Sequence, residues 1–182
     1  IHKYLSFFIS VQLLLWTVSG IYFAFNKIEL VRGEQYRLTN FSDINLGEID
    51  FDIPKTSNLE IKKRLDKTIL ILSSDSGSSY LKSDGTPLDK ISGEMAMLLV
   101  QQNTTLTPIE AEEITSSKKG SEYRGRALPL MKVISKNEKD KLINVYLNIY
   151  SGEVTAIRSM QWKIWDVMWG FHIMAVSYTH LR

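Results

Sequence analysis

Residues 4–25, YLSFFISVQLLLWTVSGIYFAF, carry no charged side chain, and that run limits the fold more than any other part of the chain. Its polar residues stand singly: Ser6, Ser10, Gln12, Thr17 and Ser19. A helix rises about 1.5 Å per residue, so the run makes about 33 Å of helix, the thickness of a bilayer's hydrocarbon core. His2 and Lys3 precede it; Asn26, Lys27 and Glu29 follow. Trp16, Tyr22 and Phe25 favour an interface near its end, where a ring buries its face and keeps a polar edge wet. A cleaved signal peptide is the competing reading, with Val18-Ser19-Gly20 as the small residues near a cleavage point. The apolar run continues past them through Ile21-Tyr22-Phe23, so a retained membrane helix is expected. Gln12, Ser19 and Gly20 are suited to contact with another helix. Basic residues are few at both ends, so charge alone does not orient the helix.

Beyond Asn26 the composition is that of a folded soluble domain. Over the 182 residues, 44% are hydrophobic and 23% charged, which excludes general disorder. The net charge is +2, and Lys and Arg alternate with Asp and Glu, so no nucleic-acid partner is expected. There is no cysteine, which removes disulfides, thiolate metal sites and cysteine nucleophiles. No Gly-rich phosphate loop, HExxH or GxSxG occurs, and no catalytic residues are assigned.

Local patterns predict the elements. Residues 69–72 (ILIL) read as a strand, followed by a Ser-rich turn. Tyr80-Leu81-Lys82 leads to a second turn at Asp84-Gly85-Thr86-Pro87. Residues 94–102 (EMAMLLVQQ) are helical in pattern, with Ser92 as the N-cap. Strands are expected at 110–115 and 128–135, then a hairpin of 142–150 and 153–158 around Ser151-Gly152. Ile143, Val145, Leu147 and Ile149 alternate with Asn144, Tyr146, Asn148 and Tyr150, which predicts one buried and one polar sheet face. Tyr80-Leu81 before Asp84-Gly85 echoes Tyr146-Leu147 before Ser151-Gly152. The echo fits either two related units in tandem or the sameness of hairpins in general.

The order of these pieces carries a resemblance. His-Lys-Tyr-Leu enters the helix ending LLLWTVSGIYF; EYRGRALPL (122–130), SGEV (151–154) and WDVMWGFHIM (165–174) follow in that order. The chain resembles the PepSY domain-containing, PepSY-associated membrane proteins of bacteria, over nearly its whole length and most weakly between 42 and 79. The resemblance implies an α+β protein: a transmembrane helix, a periplasmic antiparallel sheet with a packed helix, and a C-terminal Trp-rich interfacial helix. It divides the chain at 1–26, 27–91 (a first, degenerate α+β unit), 92–160 (the PepSY-like domain), 161–176 and 177–182. It implies location in the inner membrane, with the soluble part facing the periplasm and an envelope protein as partner. Longer relatives take part in iron uptake, reducing ferric siderophores with haem held by membrane histidines, which makes haem b and a ferric siderophore the alternative expectations. Family members continue after His-Ile-Met into a polar stretch and a second membrane helix. This chain instead reads AVSYTHLR, so 177–182 is expected to be a foreign tail, the natural chain to be truncated here, and His180 to carry no functional weight.

Candidate site residues follow. In residues 164–174 a helix puts Trp165, Trp169 and His172 on one face, with Trp162 toward the same side. The segment is too short to span a bilayer, so Trp162, Trp165, Trp169 and Trp16 are expected at the membrane interface. The sharper reading makes His172 a haem or metal ligand walled by tryptophan. His2 is the other candidate ligand, but it precedes the first helix, so His2 and His172 of one chain are not expected to share a haem. Arg124 and Arg126 flank Gly125 and suit a carboxylate-rich anion; the alternative is that they tie their loop to neighbouring carboxylates.

Overall fold

The computed structural model describes residues 2–39, 43–54, 58–75, 77–118, 120–123 and 125–173. The expected foreign tail and His180 lie outside the described residues, as does Arg124. The chain forms two compact units: Ile1–Gln35 with Arg158–Arg182, and Tyr36–Ile157.

The first unit is helical. Helix α1 spans His2–Phe25, α2 is the short Ile28–Val31, and α4 spans Met160–Ile173. The uncharged run thus forms one unbroken helix, long and apolar enough to cross a membrane. Its hydroxyls are satisfied within the helix. Ser6 donates to the His2 carbonyl at 3.0 Å, Ser10 to Ser6 at 2.8 Å and Thr17 to Leu13 at 2.9 Å. This back-bonding removes the polar cost of a hydroxyl in an apolar solvent. The apolar side chains point outward: Phe7 and Phe8 are 63% and 68% exposed and Leu14 63%. A core helix of a water-soluble protein would bury them.

Helix α4 runs antiparallel to α1. At its start the Gln161 amide donates to Asn26 Oδ1 at 3.0 Å. In its middle Trp165 lies 5.1 Å from the Phe23 ring. At its end His172 meets Ser19. Advancing along α4 therefore means retreating along α1.

The second unit contains two antiparallel meanders and a helix. Strands β1 (Asn58–Arg64), β2 (Lys67–Ser74) and β3 (Gly77–Lys82) form one sheet in that order. Helix α3 (Gly93–Asn103) follows, and then β4 (Thr107–Ile114), β5 (Leu130–Lys136), β6 (Leu142–Asn148) and β7 (Val154–Arg158), again in chain order. Ser92 caps α3 as expected, accepting the Met95 N–H at 3.2 Å. Ala96, Leu99 and Val100 of α3 join Val133, Val145, Leu147 and Ile157 in the main core. Residues 27–91, expected to hold a first α+β unit, contribute three strands, α2 and two short 3-10 turns among the described residues.

One expectation is corrected. Tyr146 was placed on a polar sheet face, yet it is only 2% exposed. The loop before β5 folds over that face. Tyr123 packs 5.7 Å from the Tyr146 ring, and the Tyr146 hydroxyl donates to Glu122 at 3.0 Å. A tyrosine suits such a place, because it buries a ring while its hydroxyl finds a partner.

The two sheets are joined by polar contacts. The buried Arg64 guanidinium donates to the carbonyls of Asp89 at 2.9 Å and Tyr150 at 2.8 Å. Tyr80 stacks on Tyr150 at 5.2 Å, and Asn148 Nδ2 donates to the Tyr80 hydroxyl at 2.9 Å.

Candidate functional site

The densest constellation of chemistry-bearing residues is at the α1–α4 contact. Ser19 is the one buried residue of α1, at 1% exposure. Its hydroxyl donates to the Trp16 carbonyl at 3.1 Å and lies 2.9 Å from His172 Nδ1. A hydroxyl has one proton. Directed at Trp16, that proton leaves Nδ1 to donate to Ser19 and Nε2 free of a proton; directed at His172, it makes Nδ1 the acceptor and puts the imidazole proton on Nε2. A second bond fixes the same residue: Trp16 Nε1 donates to the His172 carbonyl at 2.7 Å.

Aromatic rings enclose the imidazole. Trp16 stacks on it at 5.8 Å, Trp169 at 6.2 Å, and Phe23 meets it edge-on at 5.4 Å. Trp169 stacks in turn on Trp165 at 5.4 Å with the rings 10° from parallel. The face predicted from helical spacing is therefore present as a continuous ladder of Trp165, Trp169 and His172. Trp162 departs from it, placing its ring 4.6 Å under the Arg158 guanidinium in a cation–π contact.

The ligand candidates are not brought together. His2 opens α1, and Ser19 marks the level of His172, so about 25 Å of helix separates the two histidines. Two axial ligands of one iron must both touch it, so this pair cannot serve one haem. Among the described residues, no group of three or more His, Asp or Glu is placed to hold a metal ion. Among the described residues, His172 is the histidine whose ring is held by a side-chain hydrogen bond, its Nδ1 lying against the Ser19 hydroxyl.

Arg126 ties its loop to the sheet, donating to the Thr155 carbonyl at 2.8 Å. Burial, and then the nearby Arg37 charge, pull its pKa below the usual arginine value. Its partner is a main-chain carbonyl rather than the carboxylate expected of a tethering arginine.

Sequence reading flagged Ser19 as a helix-contact residue but not its partner. The signal that a polar residue interrupts an apolar helix is visible; which residue of a distant helix will meet it is not. No family model, curated protein or solved structure matches the chain.

Proposed function

We propose that this chain is a PepSY-like protein anchored in the bacterial inner membrane, whose periplasmic body serves as a binding or regulatory module for an envelope protein. The observation that carries the reading is the polar stitching of α1 to α4. Asn26–Gln161 and Ser19–His172 bond the start of the chain to its far part, and a helix so used is a retained element rather than a leader. The exposed apolar side chains of α1 then face lipid. With α1 as the one candidate crossing helix among the described residues, residues 36–157 would lie on a single side of the bilayer.

The absence of cysteine makes the topology testable with single introduced thiols. Glu138→Cys, in the exposed β5–β6 turn, is expected to react with a membrane-impermeant maleimide in intact spheroplasts. Lys3→Cys is expected to react only after lysis. The reverse pattern overturns the periplasmic placement, and recovery of the chain in the soluble fraction overturns the anchor.

A second reading is favoured by the Ser19-held imidazole: a haem-binding electron-transfer component of ferric-siderophore reduction. His172 would supply one axial ligand through Nε2, and a partner would supply the other. When bound, the haem supplies a one-electron carrier; the chain's own part is to orient the ring and wall it with Trp16, Phe23 and Trp169. A reduced-minus-oxidised spectrum of the protein purified from membranes decides it. A b-type signal lost in His172→Ala supports this reading, and a colourless protein after haem-replete expression removes it.

A further inference from the structure

The Tyr36–Ile157 unit has a cleft of about 500 Å³ between β1 and the end of α3. One wall is Ile61, Lys62 and Lys63 of β1; the other is the last turn of α3 and the Ser151–Val154 stretch that leads into β7. Gly152 makes the second wall. Its φ is +72°, and a Cβ there would lie 2.5 Å from Leu99 Cδ1, so only glycine lets this turn rest against the helix.

The charge in the cleft is one-sided. Arg37, Lys62 and Lys63 line it, and the sole carboxylate among the lining residues is Glu153. Lys62 is shared between Glu60 and Glu153, each at 2.8 Å. Lys63 has no ion pair among the described residues. Beside the cations stand Leu38 and Ile44, large apolar side chains 43% and 40% exposed. The cleft therefore offers a spare cation next to uncovered apolar surface. It also borders β1, an edge strand of its sheet among the described residues.

We infer that this cleft is a docking groove for an acidic, apolar-interleaved peptide segment of a partner protein, with carboxylates meeting Lys63 and its neighbours and an apolar side chain covering Leu38 and Ile44. The volume suits a few residues of extended chain. An edge strand supplies main-chain bonding, and alternate side chains supply selection. The inference rests on the binding-module reading and names the chemistry of its partner.

The test uses the full chain in zwitterionic nanodiscs and fluorescence anisotropy with two labelled hexapeptides, one alternating glutamate with leucine and one alternating lysine with leucine. The acidic probe is expected to bind and to weaken as salt rises. Lys63→Glu is expected to weaken it about tenfold or more, since like charges then face each other. Lys139→Glu makes the same charge change in the exposed β5–β6 turn and is expected to leave binding unchanged. Lys63→Gln distinguishes lost charge from lost folding: it should weaken the acidic probe less than Lys63→Glu, with the thermal transition unmoved. Equal binding of both peptides, or indifference to Lys63→Glu, overturns the groove. So does a Lys63 effect confined to retention on phosphatidylglycerol vesicles, which would assign the cations to a lipid surface. If these fail while Glu138→Cys still labels from the periplasmic side, the groove falls and the anchored-module reading stands.

Discussion

The two units of this chain are organised in opposite senses. In the helical unit the apolar side chains point outward and the polar ones meet inside: Ser19 against His172, Asn26 against Gln161. In the strand unit Val133, Val145 and Leu147 are fully buried while Lys and Glu pair at the surface. On the anchored reading proposed above, the difference follows from the solvent each unit would face. In water, removing apolar area is the main driving force. Between helices in lipid that force is nearly absent, and hydrogen bonds with close ring packing replace it.

The largest effect expected from this contrast is in the core of the strand unit. Leu147→Ala should cost about 2–5 kcal/mol, from lost transfer energy and the cavity left behind. Leu14→Ala on α1 deletes the same atoms from a side chain that is 63% exposed and should leave the thermal transition of the body unmoved. Comparable losses at both positions would mean that α1 is packed in protein rather than facing lipid. Next is Gly152→Ala, which strains a left-handed residue and presses on Leu99, at about 1–3 kcal/mol. Denaturant midpoints measure both.

Ser19→Ala probes the inside-out unit. Bonds between membrane helices average about 0.6 kcal/mol, so the hairpin should loosen without dissociating. Near-UV circular dichroism reads it directly, because the parallel Trp165–Trp169 pair gives a coupled signal that weakens as α4 loses its register. An unchanged signal would mean that the rings alone hold the pair.

The smallest effect is on acid stability. Lys82 holds the Asp89 carboxyl below the usual range, Lys62 does the same to Glu60, and the Thr86 hydroxyl and N–H do so to Asp84. A carboxylate whose folded pKa is depressed contributes stability above its unfolded pKa and loses it as pH falls through the folded value. The body should therefore soften as pH drops below the ordinary carboxylate range. All three groups are surface-exposed, so the effect should be small, and for the lysine-paired two it should shrink further in high salt. A stability profile that rises on acidification would contradict these pairings.

Periodicity made α1, α3, β2 and the hairpin of β6 and β7 legible in the sequence, since each shows a long apolar run or a clear alternation. Strand β1 was not legible. Its second half is Lys62-Lys63-Arg64, and its turn places Leu65 at φ 54°, where glycine or asparagine would have signalled a bend. The cations are there for tertiary reasons: Lys62 reaches Glu153, and Arg64 reaches two carbonyls of other segments. Tyr146 was misjudged for the same reason, because a loop rather than a strand or helix covers it. At the candidate site the tryptophan–histidine face was legible from helical spacing. Its partners on α1 were not, because Ser19 and His172 stand 153 residues apart.

The single arginine that reaches across to Asp89 and Tyr150 also bears on how this chain can be cut and recombined. A piece ending after the first meander would carry a guanidinium shaped for acceptors it no longer has, and a Tyr80 ring without the Tyr150 ring it stacks on. Neither half is then an exchangeable module. Fusions and fragments should keep 36–157 whole, and a library that shuffles the meanders separately should recover few soluble members.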